Sequence, residues 1–176
     1  MIEYLNIVDE NDEVIGQETR ENIHKQGLLH REVHVHFVTP NKEIILQHRA
    51  KDKDFCPDLL SATVGGHVEI GDTYEKTAIK ETREETGLII NEEDLIFLNK
   101  SRRGLFFDEK TNTTNNVFGT SYLYRYLGDL SDLKVEEGKA IGFELWSFDK
   151  LKKLSEPEKE KFIPYVLNFI LDNLVD

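Results

Sequence analysis

The chain has 176 residues, 39% hydrophobic and 32% charged, which matches one domain of about 100–200 residues with apolar content for a core. Its 22 basic and 34 acidic residues give a formal charge of −12, so neither nucleic acid nor an anionic membrane is an expected partner. A lone Cys56 excludes an internal disulfide, no run approaches the ~20 apolar residues of a membrane span, and Met1 to Tyr4 do not read as a signal peptide, so one cytoplasmic domain over 1–176 is expected.

The N-terminus predicts a β-hairpin. Ile2 to Val8 and Val14 to Glu18 are strand-like around Asp9-Glu10-Asn11-Asp12, residues that favour turns. A helical turn follows at Arg20 to Lys25, then a strand from Leu28 to Thr39 that stops at Pro40. A return strand runs from Ile44 to Ala50, and Ser61 to Val64 is a short strand after a polar loop. Gly65-Gly66 precede a helix expected over Thr73 to Thr86, with Asp72 as N-cap, Glu75 completing a capping box and Gly87 as the stop. Further strands are expected at Leu95 to Lys100, Leu105 to Asp108, Val117 to Leu127 and Gly142 to Ser147, and a short helix at Asp149 to Leu154. Beyond Glu156, Phe162, Tyr165, Val166, Phe169, Ile170 and Leu174 recur at helical spacing, which suits core docking or, in the alternative, a dimer contact. This mixture predicts an α/β fold with helices packed on a mixed sheet.

Glu81, Glu84 and Glu85 carry the chemical signal. Their spacings of three and four bring them within an arc of roughly 100° on one helix face. Like charges so placed repel, and either a solvated face or a bound cation relieves them. The upstream glycines let backbone approach a ligand, which favours a hard cation such as Mg²⁺ or Mn²⁺, an ion that binds a few carboxylates together with substrate phosphates.

Read from Gly66 to Leu88, the pattern Gly-x5-Asp-x7-Lys-Glu-Thr-x-Glu-Glu-x-Gly-Leu resembles the Nudix box. That family has Gly, Glu, Arg-Glu, an apolar residue, Glu-Glu, Gly and an apolar residue at these offsets; here Asp72, Lys80 and Thr82 depart from it. The resemblance implies an α/β/α sandwich with an N-terminal hairpin, and a hydrolase that cleaves a diphosphate linkage with metal-activated water. It implies metal ligation by Glu81, Glu84, Glu85 and a carbonyl at Gly65 or Gly66. Asp72 and Lys80 would pair to orient the helix, with Glu69 behind them, although lysine lacks the bidentate fork of arginine.

Leu28-Leu29-His30-Arg31, Leu46-Gln47-His48-Arg49-Ala50 and Gly65-Gly66-His67 further resemble the branch holding isopentenyl-diphosphate isomerase and its hydrolase relatives. The isomerase needs a cysteine where this chain has Gly65. His24, His30 and His67 match its metal-binding histidines, but its paired glutamates fall at Thr114 and Asn116. The hydrolase is therefore the leading expectation, with the isomerase and a non-catalytic Nudix binding module as alternatives.

Glu84 or Glu85 is the first choice of general base, and Glu137, beside Glu136 in an acidic loop, the second. Arg49 and Arg31 are the substrate-binding candidates for a small organic or nucleoside diphosphate. Arg102 and Arg103 read as a solvated hairpin, His34 and His36 as packed histidines. Monomer and homodimer both remain open.

Overall fold

The computed structural model describes residues 2–175; Met1 and Asp176, the ends of the expected domain, lie outside the described residues. The hairpin is present as β1 (Tyr4–Val8) and β2 (Val14–Thr19). Its turn closes because the Asp9 carboxylate accepts the N–H groups of Asn11 and Glu13 at 2.8 and 2.9 Å. Helix α1 (Arg20–Gln26) starts where Thr19 caps Asn22 and ends on the left-handed Gly27.

The main sheet comprises β3 (His30–Thr39), β4 (Glu43–Arg49), β5 (Leu60–Ser61), β6 (Val64–His67), β7 (Ile96–Asp108), β8 (Thr113–Arg125) and β9 (Ala140–Ser147). Its path is β5-β4-β3-β8-β7, with β6 also on β3 and β9 also on β4. The β3–β8 pair is parallel and the others are antiparallel, as a mixed sheet requires.

Strand β3 has two partners on one edge. Phe37 to Thr39 pair with β4, whereas Glu32 to Val35 pair with β6, so the sheet forks between β4 and β6. Thr63 sits in the fork, accepting the Phe37 N–H at 2.9 Å and donating to the Ile45 carbonyl. Its hydroxyl thereby satisfies backbone groups that the divided ladder leaves over.

Alternation along β3 sorts its side chains between two layers. Val33, Val35 and Phe37 join Ala78 of helix α2 (Tyr74–Thr86) in one core. His34 and His36 face the other layer, stacked on Tyr165 and Phe169 of helix α5 (Pro164–Asn173). That second core holds Ile44, Leu46, Trp146, Phe162, Ile163, Val166 and Ile170, flanked by the short helices α3 (Phe148–Leu151) and α4 (Glu156–Lys159). No described helix is long and apolar enough to cross a membrane.

Several expected boundaries shift. The helix N-cap is Thr73, whose hydroxyl accepts the Lys76 N–H at 3.2 Å. Glu75 is thereby free of the expected capping box and accepts the Tyr122 hydroxyl at 2.7 Å. The segments Leu95 to Lys100 and Leu105 to Asp108 form one bulged strand, because β8 begins at Thr113 and pairs along nearly its whole length. The single short strand expected at Ser61 to Val64 is two, β5 and β6, separated by the fork. The expected Asp149 to Leu154 helix is confined to α3.

Candidate active site

One cleft opens at the fork. It is lined at one pole by Gly65, Gly66, Glu69, Glu81, Glu85 and Lys139, with Gln47 and Arg49 from β4 and Lys53 from the following loop. At the other pole lie His24, His67, Glu32 and Asn115, and Tyr165 from α5 forms part of the wall.

Helix α2 delivers the carboxylates. Glu81 and Glu85 face the cleft and are only 8% and 4% exposed. Burial pushes both carboxyls up to about 7; the Glu84 charge adds to the effect on Glu81 and the Glu81 charge to that on Glu85, while Lys139 opposes both. Glu85 is fixed through Oε2, which accepts the Gln47 amide at 3.0 Å and the Gly65 N–H at 3.2 Å. Glu81 Oε2 is buried and accepts no hydrogen bond. Gly66 makes this arrangement possible, since a Cβ there would lie 2.4 Å from Glu81 Cδ. Glu84 is exposed at the edge of the arc and does not line the cleft.

Buried, mutually repelling hard oxygens, one of them without a donor, form a set that fits Mg²⁺ or Mn²⁺. Glu81 and Glu85 are the carboxylates inside the cleft that could hold such an ion, and the exposed Glu84 could contribute from its rim.

The box-orienting pair differs from expectation. Lys80 Nζ binds Glu69 Oε1 at 2.6 Å rather than Asp72, and Asp72 instead donates its N–H to the Glu69 carbonyl at 3.1 Å. Thr73 takes over the helix cap, so Asp72 lies in the preceding turn, and the longer Glu69 meets the lysine.

The two arginine candidates separate. Arg49 lines the cleft, although its guanidinium also donates to the carbonyls of Phe55 and Cys56 at 2.8 to 3.2 Å. Those bonds tether the Lys51 to Leu60 loop to β4. Arg31 is not in the cleft: it points from β3 to the hairpin, where its Nε holds Asp12 at 2.7 Å. Its neighbour Arg31–Asp12–Tyr74 contacts pin the hairpin to α2, with Tyr74 donating to Asp12 at 3.0 Å.

Glu137 is exposed and away from the cleft, whereas Glu136 turns toward α2 and binds Lys139 at 3.0 Å. Arg103 corrects the solvated-hairpin expectation. It crosses β8 over Gly119, where a Cβ would lie 2.1 Å from its Nε, and its Nη1 meets Glu32 at 3.2 Å. Burial raises the Glu32 carboxyl, but His34 and Arg103 outweigh it and hold the group well below the usual range. Period-two alternation from His30 could have placed Glu32 on this face. Nothing local marks Lys139, which arrives from a loop.

His24, His30 and His67 also converge. Their ring nitrogens lie within 4.8 Å of one another, and His30 Nε2 is buried without a partner. Burial lowers all three, His24 to about 4, so they are neutral near pH 7. The buried carboxylate at this pole is Glu32, which accepts from Asn115 at 3.0 Å; Asn116 donates to the Gly27 carbonyl at 2.9 Å.

The chain is 39% identical over 88 residues to an uncharacterized Nudix hydrolase of Yersinia pestis, a match covering 50% of this chain and 48% of that protein. It is 27% identical over 182 residues to Nudix hydrolase 3 of Arabidopsis thaliana, covering 99% of this chain and 23% of that protein. The chain thus spans about half the length, or less, of these relatives. A Deinococcus radiodurans crystal structure superposes with a TM-score of 0.72 at 22% identity, covering 97% of this chain and 99% of that one, a likeness that shows the fold. The model of the NUDIX domain matches residues 28–166, and a match running over most of the chain establishes that it belongs to the NUDIX family.

Proposed function

We propose that this protein is a divalent-metal-dependent hydrolase of a diphosphate linkage in a small organic or nucleoside diphosphate derivative, acting in the reducing cytoplasm. The observation that carries the reading is the convergence of Glu81 and Glu85 on Gly66, with an undonated oxygen on Glu81 and cations opposite. Mg²⁺ or Mn²⁺ bound there supplies charge neutralisation and an acidified water. Glu81 and Glu85 would hold the ion, Gly66 would offer a carbonyl, and Glu69 and Lys80 brace the helix beside them. Arg49 and Lys53 face the phosphates from the β4 side and counter the chain's overall negative charge. The proton acceptor in this reading is Glu84 at the rim or the second oxygen of Glu85, whose Oε2 is held by the Gln47 amide and the Gly65 N–H.

A phosphate-release screen with Mg²⁺ or Mn²⁺ tests the reading across nucleoside di- and triphosphates, sugar nucleotides, coenzyme A and prenyl diphosphates. Metal-dependent release that falls at least 100-fold in Glu85→Gln supports it. Equal turnover by the variant rejects the site, and binding without turnover supports a non-catalytic module.

The clustered histidines favour a second reading, an isopentenyl-diphosphate isomerase-like enzyme. It lacks a thiol in the cleft: Gly65 stands at the cysteine position, and Cys56 is buried elsewhere, with burial pushing its thiol up to about 12. Interconversion of isopentenyl and dimethylallyl diphosphates without phosphate release would establish this reading.

A further inference from the structure

The acidic pole of the cleft carries its own cation. Lys139 lies at the end of the loop before β9, and its backbone fixes it there. The Ala50 N–H donates to its carbonyl at 3.1 Å, and its own N–H donates to the Glu136 carbonyl at 3.1 Å. The first bond ties the loop to the end of β4, next to Arg49. The side chain, 33% exposed, reaches from there to α2. Its Nζ stands 3.0 Å from Glu136 Oε2 and 3.7 Å from Glu81 Oε2.

Both oxygens are buried without a hydrogen-bond donor, and the ammonium lies nearer Glu136 and pairs with Glu81 across the longer gap. An ammonium at 3.7 Å satisfies the Glu81 oxygen by charge alone, in a place where a divalent ion would draw on the same lone pairs. Two cations cannot share a buried carboxylate without strong repulsion, because the low-dielectric surroundings screen them poorly. The lysine stem is flexible, and its head is a compact point charge that suits a phosphate oxygen. Lys139 also lines the same cleft as Arg49 and Lys53, so a small swing brings it toward the cations already assigned to the diphosphate.

We infer that Lys139 is a positioning residue that competes with the divalent cation for Glu81 and is transferred to the diphosphate when cation and substrate bind together. The lysine weakens binding of the cation alone and couples its retention to the presence of a diphosphate. This inference rests on the proposed metal site at Glu81 and Glu85.

Titration calorimetry with MnCl₂ alone tests it on the full chain, comparing wild type with Lys139→Met, Lys139→Gln and Lys139→Arg. Both neutral variants are expected to bind Mn²⁺ five- to tenfold more tightly, with Lys139→Arg close to wild type. Steady-state kinetics on the substrate found in the screen should show KM raised about tenfold in the neutral variants and kcat changed less. A purely structural tether predicts the opposite sign, because loosening the loop leaves Mn²⁺ binding unchanged or weaker. Wild-type binding with no tightening in either neutral variant overturns this inference alone. No Mn²⁺ binding by any of the four proteins overturns the proposed metal site and this inference together.

Discussion

Gly66→Ala probes the site through one carbon atom. The added Cβ would lie 2.4 Å from Glu81 Cδ and 2.6 Å from its Cγ and Oε1. Ordinary contact is about 3.4 Å or more, so Glu81 must retreat by about 1 Å. Because Cγ is blocked as well as the carboxylate, rotation of the terminal torsion does not relieve the clash. Overpacking of this kind costs roughly 1–3 kcal/mol. The functional cost is expected to be larger in proportion, since a 1 Å misplacement of a positioning group can lower turnover about 100-fold. The assay pairs Mn²⁺ affinity and turnover with thermal unfolding. Gly142→Ala serves as the control, as its Cβ meets nothing within 4 Å. Turnover in Gly66→Ala within twofold of wild type would refute the placement of Glu81 in the working site.

Other expectations follow from groups outside that contact. Asp12 is 7% exposed and held by Arg31, Lys100 and Tyr74, so Asp12→Asn, which tolerates the left-handed backbone there, should cost about 2 kcal/mol. At roughly 2–4 °C per kcal/mol, a Tm unchanged within 1 °C would contradict that role. His24, His30, His34, His36 and His67 are all lowered by burial. The unfolded chain therefore binds more protons than the folded one below about pH 6.5, and stability falls as pH drops from there. Glu81 and Glu85, raised to about 7, act in the opposite direction between about pH 4.5 and 7, but they are outnumbered. Thermal unfolding in chelator should accordingly show Tm lower at pH 5 than at pH 7; a higher value at pH 5 would count against neutral buried histidines. Cys56, 3% exposed with its thiol pushed up to about 12, should resist iodoacetamide at pH 8 until the protein unfolds, and rapid labelling of the native protein would show that the loop carrying it opens.

The local signals were legible because they depend on short spacings. The Asp9 turn, the helix ending at Gly87 and the i, i+3, i+4 glutamates all follow from neighbours along one segment. The strand alternation through His34 and His36 likewise placed those residues in packing rather than in solvent. The expected Asp72–Lys80 pair was not met, because lysine reach and the cap at Thr73 together select Glu69.

By itself the sequence determined the acidic helix, the glycines before it, the hairpin and the mixed order of strands and helices, since propensity, capping and periodicity act over a few residues. Tertiary structure alone decided which charges share the cleft. It turned Arg31 away to Asp12, buried Arg103 against Glu32, and brought Lys139 and Glu136 to Glu81. Those contacts join residues remote along the chain, and their partners are selected by where the forked sheet and its loops close, a geometry that no local pattern encodes.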